Sequence, residues 1–364
     1  MAERGTGRSR ARRDEPGATI YDVAHEARVS TATVSRVVNG NYSVSAATRA
    51  RVEEAMQKLG YVTNAHARAL AGSGRQLIGI LIEELGDPYF AAIARGAQLE
   101  ATAHGRLSLV CNTQGNPELE DSFLDLLLEH RADLVVVVGG PTTDERYQQT
   151  NRVRARRLAS TGCRLAHCGR PPLDEPNTIG IEFDNEQGAF TITDHLLTLG
   201  HDRILFLGGP PALSTTQNRI AGFERAYRTR GRSAAPDLIV TGAFTQQFGY
   251  RQMKAILDEG KPGFTAVFGG NDLVAAGVCL AAKEHGLRIP EDLSIVGYDD
   301  VPLARALDPQ LTTVRVPTEA IGREAVKAGL AHVTGGSDPY TDPDERVSLG
   351  TSLMIRGSTA APRS

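Results

Sequence analysis

Two groups of polar residues carry the chemistry of this sequence. In the first, Thr31, Ala32, Thr33, Ser35 and Arg36 lie within about two turns of helical periodicity, with Ser30 just before and Asn39 just after. Short side chains beside a guanidinium suit the edges of base pairs. Arg36 is the candidate for a bidentate contact to guanine, and Thr31 or Ala32 for a thymine methyl. In the second group, acids, amides and guanidiniums follow apolar runs at wide intervals: Asp87, Arg170, Asp184, Arg219, Asn271 and Asp299. That mixture suits a polyhydroxylated ligand, whose hydroxyls both donate and accept. Tyr89, Phe90 and Phe244 would stack on the apolar face of a sugar ring. No catalytic residue, metal or cofactor is expected. The nine histidines are scattered, and the glycine-rich nucleotide loops, Gly-x-Ser-x-Gly and His-Glu-x-x-His are missing. An enzyme with an appended DNA-binding head is therefore disfavoured.

The first group sits on a predicted helix-turn-helix. Thr19 caps a helix through Ala27, with Ile20, Val23, Ala24 and Ala27 forming one apolar stripe. Ser30 caps a second helix to about Val38, whose Val34, Val37 and Val38 turn inward and leave Thr31, Ala32, Ser35 and Arg36 outward. Asn39-Gly40 stops it. Ser45 caps a third helix to Leu59, closed by Gly60. The exposed end of the second helix belongs in the major groove. Next comes Thr63 to Gly72, in which Asn64 caps and about seven residues follow, too few for a helix to hold alone. Leu70 is a large apolar residue on this small, polar segment, and inserting it at a minor-groove step would kink the duplex.

Charge divides the chain in the same place. Residues 1–75 carry 12 Lys/Arg against 7 Asp/Glu, and residues 76–364 carry 28 against 36. A basic head on an acidic body meets phosphates with one end only. The Arg-rich stretch 1–17 lacks an apolar run, so it is expected to be an unstructured tail and not a signal peptide. Nothing approaches the length of a membrane span. Cys111, Cys163, Cys168 and Cys279 lack metal or disulfide spacing and read as reduced thiols.

From Leu77 onward apolar runs alternate with helical periodicity, which argues for parallel sheets with crossover helices. Two rounds of it, roughly 76–182 and 185–314, predict two lobes with a ligand crevice at the strand ends between them. The expected organisation is a basic tail (1–17), a helix-turn-helix domain (18–62), a hinge helix and linker (63–75), a two-lobed α/β body (76–356) and an unstructured tail (357–364). That last tail has no leucine heptads, so a homodimer is expected and not a tetramer.

Residues 19–72 resemble the DNA-binding head and hinge of the lactose/galactose repressor (LacI/GalR) family. Tyr21-Asp22-Val23-Ala24, Val29-Ser30, Thr33-Val34-Ser35-Arg36-Val37 and Leu70-Ala71-Gly72 stand in its order. The resemblance implies that Thr31 and Ala32 set specificity, that Arg36 reads a base, and that Ala67 and Leu70 enter the minor groove of a near-palindromic operator. Thr19, Tyr21, Ser30, Thr33, Ser35, Asn39 and Asn64 complete the expected DNA contacts. The body, 76–356, is similar to periplasmic sugar-binding proteins, and Asp87-Pro88-Tyr89-Phe90, Arg219, Phe244, Asn271 and Asp299 match pocket positions. Where the family often has Asp-Arg after the fourth strand, this chain has Gly169-Arg170, so no particular sugar is inherited, and Asp87 is expected to supply the missing acceptor. The family further implies a bacterial cytoplasmic, nucleoid-associated regulator released by a sugar-like effector. A purine-like corepressor that strengthens operator binding is the alternative. Ligand-driven lobe closure would tip the marginal ordering of the two hinge segments.

Overall fold

The computed structural model describes residues 18–39, 44–61, 77–139, 144–260, 263–331 and 346–363, and divides into two units, 1–75 and 76–364. The expected tail 1–17 and the hinge residues Asn64, Ala67 and Leu70 lie outside the described residues.

In the first unit, α1 (Ile20–Glu26), α2 (Thr31–Asn39) and α3 (Ala46–Lys58) enclose a small core. Local chemistry sets each start. Thr19 and Asp22 form a reciprocal capping box, the Thr19 N–H donating to the Asp22 carboxylate at 2.7 Å. The Ser30 and Ser45 hydroxyls accept from the Thr33 and Thr48 N–H groups, each at 3.2 Å. Arg28 takes a positive φ of 53° in the tight turn between α1 and α2. Val23, Ala24, Ala27, Val34, Val37, Val52 and Ala55 are buried together, the first five of them on the stripes expected from spacing.

The second unit is two α/β lobes. One sheet has the order β11-β5-β4-β3-β1-β2 and the other β12-β10-β9-β8-β6-β7. The first is built from β1 (Leu77–Ile82), β2 (Leu107–Asn112), β3 (Leu134–Val138), β4 (Arg164–Cys168) and β5 (Thr178–Phe183), joined by α4 (Pro88–Ala103), α5 (Pro117–Glu129) and α6 (Glu145–Ser160). After α7 (Asn185–Thr198) the second follows as β6 (Ile204–Leu207), α8 (Ser214–Arg228), β7 (Ile239–Val240), α9 (Gln246–Asp258), β8 (Ala266–Gly269), α10 (Asp272–Glu284), β9 (Ser294–Asp299), α11 (Pro302–Ala306) and β10 (Thr312–Arg315). All pairings are parallel except β10 with β12, so both sheets need helices on both faces.

Two expectations are corrected. The repeats do not end at 314. The chain returns to the first lobe for α12 (Thr318–Ala331) and β11 (Arg346–Leu349), then crosses back for β12 (Ser352–Met354). It therefore passes between lobes three times: at Asp184, at Val316-Pro317 and at Gly350-Thr351. The segment after Arg356 is also not a loose tail. Ser358 is fully buried, its hydroxyl donating to the Ile295 carbonyl at 2.6 Å and accepting the Thr312 N–H at 2.8 Å. Ala360 donates to Ser294 and its carbonyl meets His201. These small polar residues run along the start of β9 as hydrogen-bonding partners, a role their composition does not advertise.

Glycines let helices pack in close pairs. A Cβ on Gly96 of α4 would strike the Glu319 carbonyl of α12, and one on Gly222 of α8 would strike the Glu186 carbonyl of α7. Only glycine permits that approach.

Candidate DNA-reading face and effector cleft

The head presents a shallow concavity lined by Val29, Ser30, Thr33 and Arg36 on the α2 side and by Val44, Thr48 and Arg51 on the α3 side. Ala32 and Arg36 are exposed, Thr31, Thr33 and Ser35 partly so, and Tyr21 is 74% exposed. Neither α2 nor α3 has an acid in its first turn, so their positive helix ends are left uncancelled, as phosphate binding requires. Thr19 and Ser30 serve as caps, and Asn39 ends α2. Thr48 and Arg51 were missed by sequence reasoning. Their only signal is position: Thr48 lies about one turn beyond the Ser45 cap and Arg51 nearly two, where the third helix faces the second.

In the body, β9 and α8 set the central pair. Arg219 is buried; its Nη2 donates to Asp299 Oδ1 at 3.0 Å, its Nε to Asn185 Oδ1 at 3.0 Å and its Nη1 to the Gly270 carbonyl at 2.5 Å. Its guanidinium lies over the Tyr298 ring, 3.7 Å from the centroid, with the Phe244 ring at 5.6 Å. Asp299 ends β9 with a positive φ of 106°. Burial pushes its carboxyl up to about 7, against the opposing pull of Arg219.

The first lobe faces this pair with Asp87 and Tyr89. Asp87 caps α4, accepting the Tyr89 N–H at 2.9 Å. Burial raises its carboxyl, and its charge contributes to the rise at Asp299. Burial also raises the Tyr89 phenol, which feels both Asp299 and Arg219. Phe90 stands edge-on to Tyr89 at 5.4 Å. Residues from both lobes thus converge at strand and helix ends, where a ligand would bridge them.

The remaining sequence-predicted residues divide. Asn271 lies at the cleft, but its side chain is committed, its Oδ1 capping Val274 and its Nδ2 donating to the Phe244 carbonyl at 3.3 Å. Asp184 is exposed and caps α7 through Gln187 at 2.8 Å; its neighbour Asn185 reaches Arg219 instead. Arg170 is buried after β4. Two aspartates near the cleft have structural work. Asp272 accepts from Thr313 and the Val301 N–H, and Asp300 binds Arg305, Arg315 and Arg356. Asn185 follows Asp184 among the polar residues at the strand ends, and it, not Asp184, joins the central pair; Tyr298, just before Asp299, is a site residue that apolar patterning hides. Among the described residues no group of acids, histidines and cysteines could hold a metal ion.

Residues 19–64 match the model of bacterial regulatory proteins of the lacI family, and residues 193–359 that of a periplasmic binding protein-like domain. Over 97% of its length the chain is 34% identical to the HTH-type transcriptional repressor CytR of Escherichia coli (strain K12), covering 99% of that protein. The chain belongs to the lacI family. It is also 33% identical to the repressor PurR of Aliivibrio salmonicida, over 87% of this chain and 92% of that one. Among solved structures, the lac repressor dimer bound to operator and the anti-inducer ONPF matches with a TM-score of 0.79 and 28% identity, over 95% of this chain and all of that one. The helix-turn-helix head and two-lobed body are therefore the architecture of this family, and its named relatives are transcriptional regulators.

Proposed function

We propose that this chain is a cytoplasmic homodimeric repressor without enzymatic activity, which binds a near-palindromic operator and is released by a small polyhydroxylated effector. The Arg219–Asp299 pair carries the reading: a buried donor and acceptor, stacked on an aromatic ring in the second lobe, with Asp87 and Tyr89 of the first lobe facing them. A ligand held by both sides stabilises one lobe arrangement over another, and only such differential affinity moves an equilibrium. Coupling of about 1–3 kcal/mol is typical of allosteric systems. Thr31, Ala32 and Arg36 would read the major groove, and Asn64, Ala67 and Leu70 the minor groove.

The test is operator binding by fluorescence anisotropy, with DNA from the gene's own promoter, titrated with sugars and nucleobases. Release by a ligand whose binding is lost in Asp299→Ala is the expected result. Binding of a ligand in the cleft with operator affinity unchanged would refute it. The aromatic walls of Tyr89, Phe90 and Phe244 would also take a planar purine, which supports a second reading with a corepressor. In that case the same titration tightens the complex.

A further inference from the structure

Arg170 is only 4% exposed, yet its Nε–H meets no acceptor, and among the described residues no carboxylate pairs with it. The comparably buried arginines are not left so. Arg154 is held by Glu120 and Asp121, and Arg219 by Asp299. Leaving a buried guanidinium unpaired costs several kcal/mol, so a partner from outside the chain is the natural remedy.

The surroundings define that partner. Arg170 lines a cavity of about 160 Å³ at the C-terminal ends of β1 and β3, with Glu83, Thr113, Gly139, Tyr147 and, from the second lobe, Leu213. Its acids do not neutralise Arg170. Glu120 is committed to Arg154, and Glu83 stands at the solvent rim beside Gly115 and Gly139, its carboxyl raised by desolvation and by Asp87 and Glu84. The neighbouring His167 is held neutral by burial and by Arg170 itself. Position 169 is glycine and brings no charge. The residue before Arg170 reaches the cleft: a Cβ at Gly169 would lie 3.8 Å from the Tyr89 hydroxyl, and Tyr89 feels Arg219 and Asp299.

We propose that the effector carries an acidic group, a carboxylate or a phosphate ester on a sugar-like body, and that this group docks on Arg170 in the side cavity while its hydroxyls meet Arg219 and Asp299. The assignment rests on reading the cleft as the effector site. It adds the effector's charge and where that charge sits.

The experiment compares glucose with glucuronate and glucose 6-phosphate, ribose with ribose 5-phosphate, and inorganic phosphate alone, at constant ionic strength, on the full chain and on Arg170→Met. Calorimetry reads affinity and melting temperature reads stability. At least one acidic compound is expected to bind about ten-fold or more tighter than its neutral parent, a difference of about 1.4 kcal/mol. Arg170→Met should remove that preference and should melt no lower than wild type without ligand, because an unpaired buried charge is gone. Sugar acids against sugar phosphates identify which acidic group the cavity takes. The proposal fails if neutral parents bind as well as the acids, if no anion in the set raises the wild-type melting temperature, if Arg170→Met keeps its affinity, or if the unliganded variant melts several degrees lower. Neutral sugars that release operator independently of Arg170 would leave the effector reading standing and remove this one. An acid that binds through Arg170 without changing operator affinity would do the reverse.

Discussion

Asp299 and Asp300 are consecutive, both have positive φ (106° and 56°), and they bind separate sets of arginines. Asp299 accepts from Arg219 in the cleft, while Asp300 accepts from Arg305, Arg315 and Arg356. Arg315 ends β10 just before one interlobe crossing, and Arg356 follows β12 just after another. A single peptide unit therefore joins the ligand-facing pair to the ionic cluster that anchors two crossing strands.

Asp300→Asn should weaken that cluster. The Asp300 side chain is fully buried and its three hydrogen bonds hold its carboxyl below the usual range despite burial. A loss of about 3 kcal/mol is expected, read as a lower midpoint in urea. An unchanged midpoint would show that the arginines find solvent instead.

The raised carboxyl of Asp299 makes stability depend on pH. The native state keeps this proton up to about 7, whereas an ordinary aspartate loses it near 3.8. As pH rises between those values the unfolded chain ionises first, so Asp299 should lower stability progressively from about pH 4 to pH 7, with no further change above. Asp299→Asn should flatten that part of the profile, and urea unfolding at stepped pH values measures the difference between the two proteins.

Gly222→Ala should destabilise the second lobe, because its methyl would meet the Glu186 carbonyl and the Phe190 N–H of α7. Overpacking of this kind typically costs about 1–3 kcal/mol. Thermal unfolding checks it, and Gly231→Ala, where a Cβ would meet nothing but φ is 67°, gives the cost of backbone strain alone.

On the head, Arg36→Ala and Arg51→Ala should fail differently. Loss of a base-reading Arg36 is expected to cost about 1–3 kcal/mol and relax preference at one base pair. If Arg51, on the opposite wall of the concavity, faces a phosphate, its loss should weaken all sequences alike and reduce the slope of log affinity against log salt by about 1. Identical behaviour in both assays would show that Arg36 does not read a base as proposed.

Much of this was legible where local chemistry decides. The Thr19, Ser30 and Ser45 caps start the three head helices, and β1 begins at Leu77, where the alternation of apolar runs and helices was expected to start. Legibility failed where partners lie far apart in sequence. Helix α6 is so polar that its stripe of Asn151, Arg154, Ala155 and Leu158 does not read as buried. Strand β11 lies at a sheet edge, and its side chains alternate between exposed and partly buried. Ser358 depends on Ile295 and Thr312, and Asn185 became a site residue only because Arg219, on another helix, reaches it. Arg170 was legible as a candidate, but its lack of a counter-ion is visible only when its neighbours are assembled.

The three passages between lobes have a practical consequence. With Asp184, Val316-Pro317 and Gly350-Thr351 running in parallel, the halves are tied as by a cable of several strands, and a protease that cuts one leaves the others intact. A nicked molecule should therefore travel as a single species on a sizing column and come apart only when denaturant is added.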